Sequence, residues 1–514
     1  MIRHGMRVAA LLVAFGARAA AQQSLEQRIQ GVMDRPEFRH ASWGIEFYDL
    51  GARLPVYAVN AERLFVPGSS TKLLTVGTSL ELLGRDYRFK TRVYRTGRIK
   101  NGVLEGDLIL VASGDPNLSG RGTFGADTLG WTDEDHSYGG MPLQADPLAV
   151  LRELARQIAA RGIKRIAGHV MVDATLFREG ARELGTNVVL SPMVVNDNMV
   201  DIVVTPGAAA GQKPTVNVSP STPYLSVVNE LTTGAADSPR RVRATEDSSK
   251  ADAYVVHLVG SVPAGAPPFN SRRNVASPTR FGEVALVMLL REAGVQSTVR
   301  PAAVSMDFHS LASRYADSLM VAEHVSAPFA AEATVILKMS QNLHASLMPL
   351  LWAKLTHATD STRSGFDLEH AWLQRAGLDL GGADQSDGAG GDAFFSPSFM
   401  VHYLEYVSGR PWFADYRRAL PVLGRDGTLA AIQVASAAAG NISAKTGTFG
   451  KLDALNRRQT IHGKALAGYF TSKSGRKIAF AIFVNNFAVD QGNPTDISGQ
   501  VVGEIAAIGW EFMP

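Results

Sequence analysis

The stretch Pro67-Gly68-Ser69-Ser70-Thr71-Lys72-Leu73-Leu74 opens a strongly apolar segment that runs to Gly84. Apolar side chains recur there every three or four residues, the spacing of one buried helical face: Leu73, Val76, Leu80 and Leu83. A proline and a glycine precede this run and a glycine follows it, as is typical of helix boundaries. The pattern predicts a helix over 68–84, with Ser69 at its N-terminus and Lys72 one turn later on the same side.

Ser69 and Lys72 have the spacing of a nucleophile and its base. A serine hydroxyl is a poor nucleophile until a neighbouring base accepts its proton, and a lysine can be that base when burial or positive charge lowers its pKa. Free N–H groups at a helix start also suit an oxyanion. The structural alternative is a helix cap beside a solvated lysine. Spacing alone does not exclude it, because Ser474 and Lys477 repeat the pattern in a predicted hairpin turn.

A second polar pattern, Ser340-Gln341-Asn342, lies between two apolar segments that both look helical, 334–339 and 343–351. We expect Ser340 and Asn342 on a short connection between those helices. A hydroxyl there can pass a proton, and an amide can hold a substrate peptide bond. The structural alternative is a pair of helix-capping residues.

A third pattern, Lys445-Thr446-Gly447, lies on a probable edge strand over 441–448. Lysine and threonine on such a strand can bind a carboxylate, and glycine lets a substrate backbone approach closely. The structural alternative is a charged strand that discourages edge-to-edge aggregation.

In this order, the three patterns match the set found in penicillin-binding proteins and class A β-lactamases. Longer runs add specificity: Ser113-Gly114-Asp115-Pro116-Asn117-Leu118, Val194-Val195-Asn196-Asp197-Asn198 and Leu420-Pro421-Val422-Leu423-Gly424-Arg425-Asp426-Gly427-Thr428-Leu429. On these residues the sequence resembles the D-alanyl-D-alanine carboxypeptidase/endopeptidase family, the class C low-molecular-mass penicillin-binding proteins, over nearly all of the chain after the first 21 residues. The resemblance implies a serine peptidase that acts on peptidoglycan stem peptides and that β-lactams inhibit covalently.

The resemblance also implies a role for each motif residue. Four side chains are expected to be catalytic, as nucleophile, base, proton donor to the leaving amine and source of positive potential: Ser69, Lys72, Ser340 and Lys445. Four residues are expected to bind substrate: Asn342, Thr446, Gly447 and Thr448. Among these, Asn342 holds the acyl donor's amide and Thr446 the terminal carboxylate. The backbone N–H groups of Ser69 and Thr448 form the oxyanion hole.

The sequence departs from the family pattern at three places. Gly68 replaces the usual alanine before the nucleophile, and Gln341 replaces an aspartate in the second motif. The run Asp387-Gly388-Ala389-Gly390-Gly391-Asp392 stands where the family usually shows Asp-Gly-Ser-Gly-Leu-Ser. This last departure concerns the rim of the site and therefore bears on substrate preference, but none removes a group that the chemistry needs.

The N-terminus has the pattern of a signal peptide over 1–21. Basic residues precede the apolar core 8–15, and Ala19-Ala20-Ala21 fits a cleavage site. The chain has no cysteine, which excludes disulfides, thiolate metal sites and a lipid-modified cysteine. No later stretch has the length and composition of a membrane span. We therefore expect an exported, periplasmic protein without a transmembrane anchor after cleavage.

Charge and motifs indicate neither nucleic acid nor metal. The formal net charge is +3, and residues 1–21 carry three arginines and no acidic residue, so the remainder is near neutral. No basic run suggests nucleic-acid binding. The twelve histidines form no His-Glu-x-x-His pattern, and no cofactor is expected.

The order of predicted elements indicates an α/β sandwich of the β-lactamase/transpeptidase type, with a mainly antiparallel sheet flanked by helices. The sheet and one of its flanking helices are predicted from four segments: the strands 43–49 and 55–60, a hairpin over 465–485 and a closing helix from about Thr495. We expect a catalytic domain made of 22–86 and 302–514, interrupted by a β-rich insertion over 87–301. That insertion is expected to contain one helix, 147–160, and a nested smaller domain at about 208–270.

The motifs therefore predict a serine acyl-transfer enzyme, and the resemblance implies that it releases terminal D-alanine and also opens D-Ala to diaminopimelate cross-links. Two alternatives stay open at this stage: a β-lactamase or esterase with the same site, and a catalytically silent cell-wall-binding protein. The oligomeric state is not predicted.

Overall fold

The computed structural model describes residues 24–122, 127–250, 253–301, 306–356, 363–488 and 493–513, with the side chains of 248–250 and 253 left aside. The predicted signal segment, 1–21, lies outside the described residues. None of the described helices combines the length and the apolar composition needed to cross a bilayer.

A six-stranded antiparallel sheet lies at the centre of the fold, and we call it the central sheet. Its strands in spatial order are Ile442–Asp453, Arg458–Thr471, Lys477–Asn485, Ser42–Asp49 and Leu54–Val59, with Phe487–Ala488 paired to the second of them. The predicted N-terminal strand pair and the C-terminal hairpin are thus confirmed as members of one sheet. The third motif lies on its edge strand, as expected.

Both faces of the central sheet are covered by helices because side chains alternate between them. Ala465, Ala467 and Tyr469 pack in one core with the helices that carry the first two motifs. That group comprises Lys72–Leu82, Phe329–Lys338, Asn342–Leu355, Gly365–Arg375, Pro397–Ser408 and Phe413–Ala419. Leu466 and Phe470 pack on the opposite face against two terminal helices, Leu25–Met33 and Pro494–Phe512. The predicted sandwich and its closing helix are confirmed.

The segment after Pro67 does not form one continuous α-helix as predicted. A 3-10 turn covers Gly68–Thr71, and the α-helix runs from Lys72 to Leu82. Gly68 has φ of +50°, a left-handed conformation that favours glycine and ends regular helix geometry at that residue. Ser69 therefore lies in a tight turn ahead of the helix, and Lys72 begins the helix itself.

The intervening segment, residues 87–301, is rich in strands, as predicted. One sheet contains Met320–Val325, Lys90–Arg95, Leu108–Val111 and Val170–Asp173, and another contains Arg98–Lys100, Val103–Glu105 and Arg165–Ile166. The strand Met199–Thr205 pairs with Thr215–Ser219, Phe269–Asn270 and Arg273–Asn274. A further sheet consists of Leu225–Gly234, Ala253–Pro263 and Arg241–Lys250.

The expectation of a single helix in the intervening segment was wrong. The predicted helix is present as Ala149–Ala160, but a second one, Pro278–Glu292, packs against it. Ten residues of the second helix are buried and lie on several of its sides, so its apolar run shows no clear one-face period. Its apolar positions are therefore as consistent with a buried strand as with a buried helix.

The remaining elements are short. One strand pair joins Ala383–Gln385 to Ala393–Phe395. Further 3-10 turns cover Pro36–Phe38, His136–Tyr138, Asn196–Asn198, Phe308–Arg314, Asp317–Leu319, Leu380–Gly382 and Gly427–Leu429.

Candidate active site

The Lys72 ammonium lies at the meeting point of the first two motifs. Its Nζ is 2.7 Å from Ser69 Oγ, 3.4 Å from Ser340 Oγ and 2.6 Å from Asn342 Oδ1. A backbone carbonyl, Ala389 O, lies 3.3 Å from the same nitrogen. The structure thus gathers residues that are about 270 positions apart in the chain around one amine.

Burial makes this amine a base. Lys72 is fully buried, and burial lowers its pKa to about 7, against the opposing negative charges of Glu183, Asp387 and Asp135. A lysine near neutrality holds a useful fraction of free amine at physiological pH. The arrangement can therefore remove a proton from the Ser69 hydroxyl.

Lys445 brings a second buried ammonium to the same face of the central sheet. Its Nζ donates to Thr446 O at 2.8 Å. The pKa of Lys445 is held well below its usual range, first by burial and then by the positive charges of Lys72 and Lys464. The third motif therefore places a second buried amine beside the first.

The edge strand and the nucleophile turn are in very close contact. A Cβ on Gly447 would lie 1.8 Å from Pro67 O, and a Cβ on Gly68 would lie 2.7 Å from Thr448 N. Only glycine fits at both positions, which explains the departure from alanine at Gly68. This approach places the backbone nitrogen of Thr448 beside the turn that carries Ser69.

The second motif differs in one detail from the expected short connection. Ser340 lies between the helices with φ of +63°, but Asn342 is the first residue of the helix Asn342–Leu355. Gln341 caps that helix, because its side chain accepts the backbone N–H of Leu343. Helix formation begins one residue earlier than the polar pattern suggested.

The amide of Gln341 also explains why this position is not an aspartate here. Its Nε2 donates at 3.1 Å to each of two buried carboxylates, Asp135 and Asp197. An aspartate would place a third negative charge beside them, whereas an amide supplies the donors that they need.

Two residues of the intervening segment belong to the site and were missed by sequence reasoning. Glu183 is buried and accepts a hydrogen bond from Asn342 Nδ2 at 2.9 Å, so Lys72 and Glu183 hold the two ends of this amide. Tyr138 donates its hydroxyl to Ser340 O at 3.4 Å and remains half-exposed. Neither residue belongs to a recognisable local motif.

The unusual run 387–391 packs directly against the nucleophile segment. Asp387 accepts the N–H groups of Ala389 and Gly390, and this turn aims the Ala389 carbonyl at Lys72. A Cβ on Gly390 would lie 2.0 Å from Gly68 O. The backbone of this run therefore forms a wall of the site.

Thr446 and Thr448 lie on the other face of the edge strand from Lys445, as alternation requires. Thr446 Oγ1 donates to Thr428 Oγ1 at 2.8 Å, so the run 420–429 supports the third motif. Thr448 Oγ1 is 2.8 Å from the ammonium of Lys464. Lys464 is a third buried lysine, which sequence reasoning also missed.

A cluster of possible metal ligands lies next to the second motif: Asp135, His136 and Asp197. Hydrogen bonds to Asp197 and Asp201 outweigh burial and raise the pKa of His136 to about 10. Both ring nitrogens of His136 are hydrogen-bonded, Nδ1 to Asp201 and Nε2 to Asp197. Arg121 also pairs with Asp197, so these carboxylates already have positive partners.

The comparisons with known proteins agree with this architecture. A D-alanyl-D-alanine carboxypeptidase of Actinomadura sp. (strain R39) is 25% identical over 500 residues, which cover 93% of this chain and 83% of that relative. The D-alanyl-D-alanine carboxypeptidase DacB of Haemophilus influenzae is 23% identical over 443 residues, 84% of this chain and 82% of that one.

Solved structures share the fold. The crystal structure of penicillin binding protein 4 (dacB) from Haemophilus influenzae matches 93% of this chain and 98% of its own, at 19% identity and a TM-score of 0.70. The same protein complexed with a β-lactam matches with a TM-score of 0.65, at 18% identity over 94% of this chain and 99% of its own. The model of the D-Ala-D-Ala carboxypeptidase 3 (S13) family matches residues 22–507. With the motifs assembled and the match spanning almost the whole sequence, the chain belongs to the D-Ala-D-Ala carboxypeptidase 3 (S13) family.

Proposed function

We propose that this protein is a serine D-Ala-D-Ala carboxypeptidase that removes the terminal D-alanine of peptidoglycan stem peptides through an acyl-enzyme on Ser69. The observation that carries the proposal is the 2.7 Å approach of Lys72 Nζ to Ser69 Oγ, with a lysine pKa of about 7. Family membership and the names of the relatives support the substrate class.

Acylation begins when the neutral amine of Lys72 takes the Ser69 proton and Oγ attacks the carbonyl of the penultimate D-alanine. The carbonyl oxygen becomes an oxyanion, which the backbone N–H groups of Ser69 and Thr448 stabilise. Lys72 has then gained a proton, and it returns that proton through Ser340 Oγ, 3.4 Å away, to the leaving nitrogen. The C–N bond breaks, D-alanine leaves as the amine, and Ser69 carries an ester.

Deacylation repeats the same proton transfers with water. Lys72 takes a proton from the water, the hydroxyl attacks the ester carbonyl, and Ser69 Oγ leaves with the proton from Lys72. Asn342 orients the acyl donor's amide, and Gly447 binds the substrate backbone. Thr446 binds the terminal carboxylate by turning its hydroxyl proton from Thr428 to the substrate. Lys445 adds the positive potential that attracts that carboxylate.

Endopeptidase action is the second activity we propose for the same site. The leaving amine of a D-Ala to diaminopimelate cross-link also sits beside a carboxylate, so it meets the same groups. The β-lactamase alternative uses the same acylation and differs only in the rate of ester hydrolysis. Intact motif geometry argues against a catalytically silent wall-binding protein.

We propose that the protein is exported to the periplasm by its segment 1–21 and acts there on the cell wall. We also propose that residues 87–301 form an insertion in the catalytic domain of 22–86 and 302–514. The pairing of Met320–Val325 with Lys90–Arg95 favours moving the second boundary to about residue 326. The sheet built from 225–263 supports a nested unit near 208–270.

The proposal is tested by incubating the purified protein with benzylpenicillin and with an acyl-D-Ala-D-Ala peptide. We expect a mass increase equal to one penicillin, located by proteolysis on the peptide that contains Ser69, and release of free D-alanine. Slow loss of the penicilloyl group favours the peptidase, whereas fast turnover favours the β-lactamase. Absence of both labelling and D-alanine release would refute the acyl-enzyme.

The pH dependence of acylation should report the Lys72 amine. Because the base is active only when neutral, kcat/KM for D-alanine release should fall about tenfold per pH unit below pH 7. The measurement is kcat/KM from pH 5 to 9 for an acyl-D-Ala-D-Ala peptide whose acyl part carries no titratable group. An acid limb near pH 4, typical of a carboxylate base, would contradict the assignment.

Glu183→Gln should shift that acid limb. The negative charge of Glu183 raises the pKa of Lys72, so its removal lowers that pKa and extends activity to lower pH. The glutamine oxygen can still accept from Asn342 Nδ2, which keeps the contact at 2.9 Å. Asp367→Asn, which neutralises an exposed helix-cap carboxylate, is the matched control and should leave the profile unchanged. A limb at the wild-type pH in Glu183→Gln would contradict the electrostatic coupling.

A further inference from the structure

Lys464 stands outside the three motifs, yet its ammonium reaches the site. It lies on the strand Arg458–Thr471, directly opposite Thr448 in the sheet register. Its Nζ is 2.8 Å from Thr448 Oγ1 and 3.4 Å from Thr495 O, and the side chain is 3% exposed. A buried lysine on a core-facing strand position needs a reason, because burial of an ammonium is costly.

The chemistry of the Lys464–Thr448 contact determines which of the two groups donates the hydrogen bond. An ammonium has donors and no acceptor, so the Thr448 oxygen accepts from Lys464. The hydroxyl proton of Thr448 must then point elsewhere and is free to be donated. Thr448 is half-buried, whereas Thr446 on the same face is 8% exposed and already donates to Thr428.

We propose that Lys464 is a positioning residue that holds the Thr448 hydroxyl as a donor to the free α-carboxylate of the substrate. This inference rests on the proposed function and deepens it, because it adds a second, charge-backed anchor for that carboxylate. The substrate class it selects is a peptide with a free C-terminal carboxylate, as opposed to an amide or ester.

The surroundings of Lys464 support a role in anion binding. Burial lowers its pKa to about 8, and the negative charge of Asp496 at the start of the C-terminal helix opposes this shift. Lys445 is the other charged neighbour, since Lys464 lowers its pKa. Two ammonium groups thus act on the edge strand from opposite faces, and a carboxylate bound at the edge relieves their repulsion.

The test compares two substrates that differ only at the C-terminus, acyl-D-Ala-D-Ala and acyl-D-Ala-D-alaninamide, with four proteins: wild type, Lys464→Met, Thr448→Val and the double variant. In Lys464→Met we expect kcat/KM for the carboxylate substrate to fall roughly 10- to 100-fold, the effect of one charge-assisted hydrogen bond. For the amide substrate it should change less than about threefold.

The double variant separates positioning from a structural role. Because Lys464 acts through Thr448, Lys464→Met in the Thr448→Val background should change the carboxylate-to-amide ratio by less than about twofold. Equal loss with both substrates in Lys464→Met, or additive effects in the double variant, would overturn the inference. Should Lys464→Met not fold, an unchanged ratio in Thr448→Val alone would also overturn it. Wild type that releases no D-alanine and takes no penicillin label would instead refute the proposed function.

Discussion

Ser69→Ala should abolish both D-alanine release and covalent labelling by benzylpenicillin, with a loss of at least about 10⁴-fold in kcat. The hydroxyl is the atom that would form the ester, and it lies closer to the Lys72 amine than the Ser340 hydroxyl does, with Ser69 Oγ at 2.7 Å and Ser340 Oγ at 3.4 Å. Intact-protein mass spectrometry and a D-alanine assay measure the two losses. The midpoint of thermal unfolding should stay nearly unchanged, because the substitution removes one oxygen at a partly exposed position.

The chain offers a matched control for this variant. Ser474 repeats the serine-x-x-lysine spacing with Lys477, but it lies in the turn between two strands of the central sheet. Its hydroxyl is hydrogen-bonded to that of Ser472 at 2.8 Å. Ser474→Ala should therefore retain full labelling. Normal penicillin labelling of Ser69→Ala would eliminate Ser69 as the nucleophile.

Lys72→Met should lower the acylation rate by about 10²–10⁴, the usual contribution of a general base. Methionine fills a similar volume in the buried site, so the loss reports the missing amine and not a cavity. The measurement is the rate of penicilloyl-enzyme formation under single-turnover conditions. Acylation within a factor of about ten of wild type would assign the base to another group.

The same variant should reveal the free-energy cost of burying the amine. The folded-state pKa of Lys72 is about 7, below the usual lysine value of 10.5. Between these values the unfolded chain holds a proton that the folded chain lacks, so the free energy of unfolding of wild type rises with pH through this window. Lys72→Met has no titrating amine at this position, so its free energy of unfolding lacks this pH dependence. Relative to wild type it should gain stability most at pH 7 and below, and denaturant unfolding at pH 7 and 10 measures the difference.

The central sheet could be predicted because its strands had local signals, whereas the gathering of the three motifs was expected from the family resemblance that their order carries. The alternation in 43–49 and the hairpin near 465–485 are strand patterns that neighbouring residues determine. Each motif is a short run of residues that can be recognised from the sequence alone. The bounds of the nucleophile helix were less predictable, since the left-handed conformation of Gly68 depends on the close approach of Thr448 N.

The parts that could not be predicted depend on distant contacts. Glu183 and Tyr138 lie in stretches without period, and only the folded intervening segment brings them to Asn342 and Ser340. Lys464 did carry a signal. It is a charged residue in phase with the core-facing Leu466 and Phe470, and such a conflict on a buried strand indicates a functional position.

The central sheet places the strand Ser42–Asp49 between Leu54–Val59 and Lys477–Asn485, which joins the two ends of the polypeptide. During synthesis the first of these strands emerges more than 400 residues before its second neighbour. Until then the edge of Ser42–Asp49 that pairs with Lys477–Asn485 stays unpaired, and an unpaired strand edge is prone to aggregation. The central sheet is therefore completed late, when the last strands have been synthesised. A nascent chain halted before residue 477 already contains Ser69 and Lys72 but lacks the strand that completes the hydrolase fold.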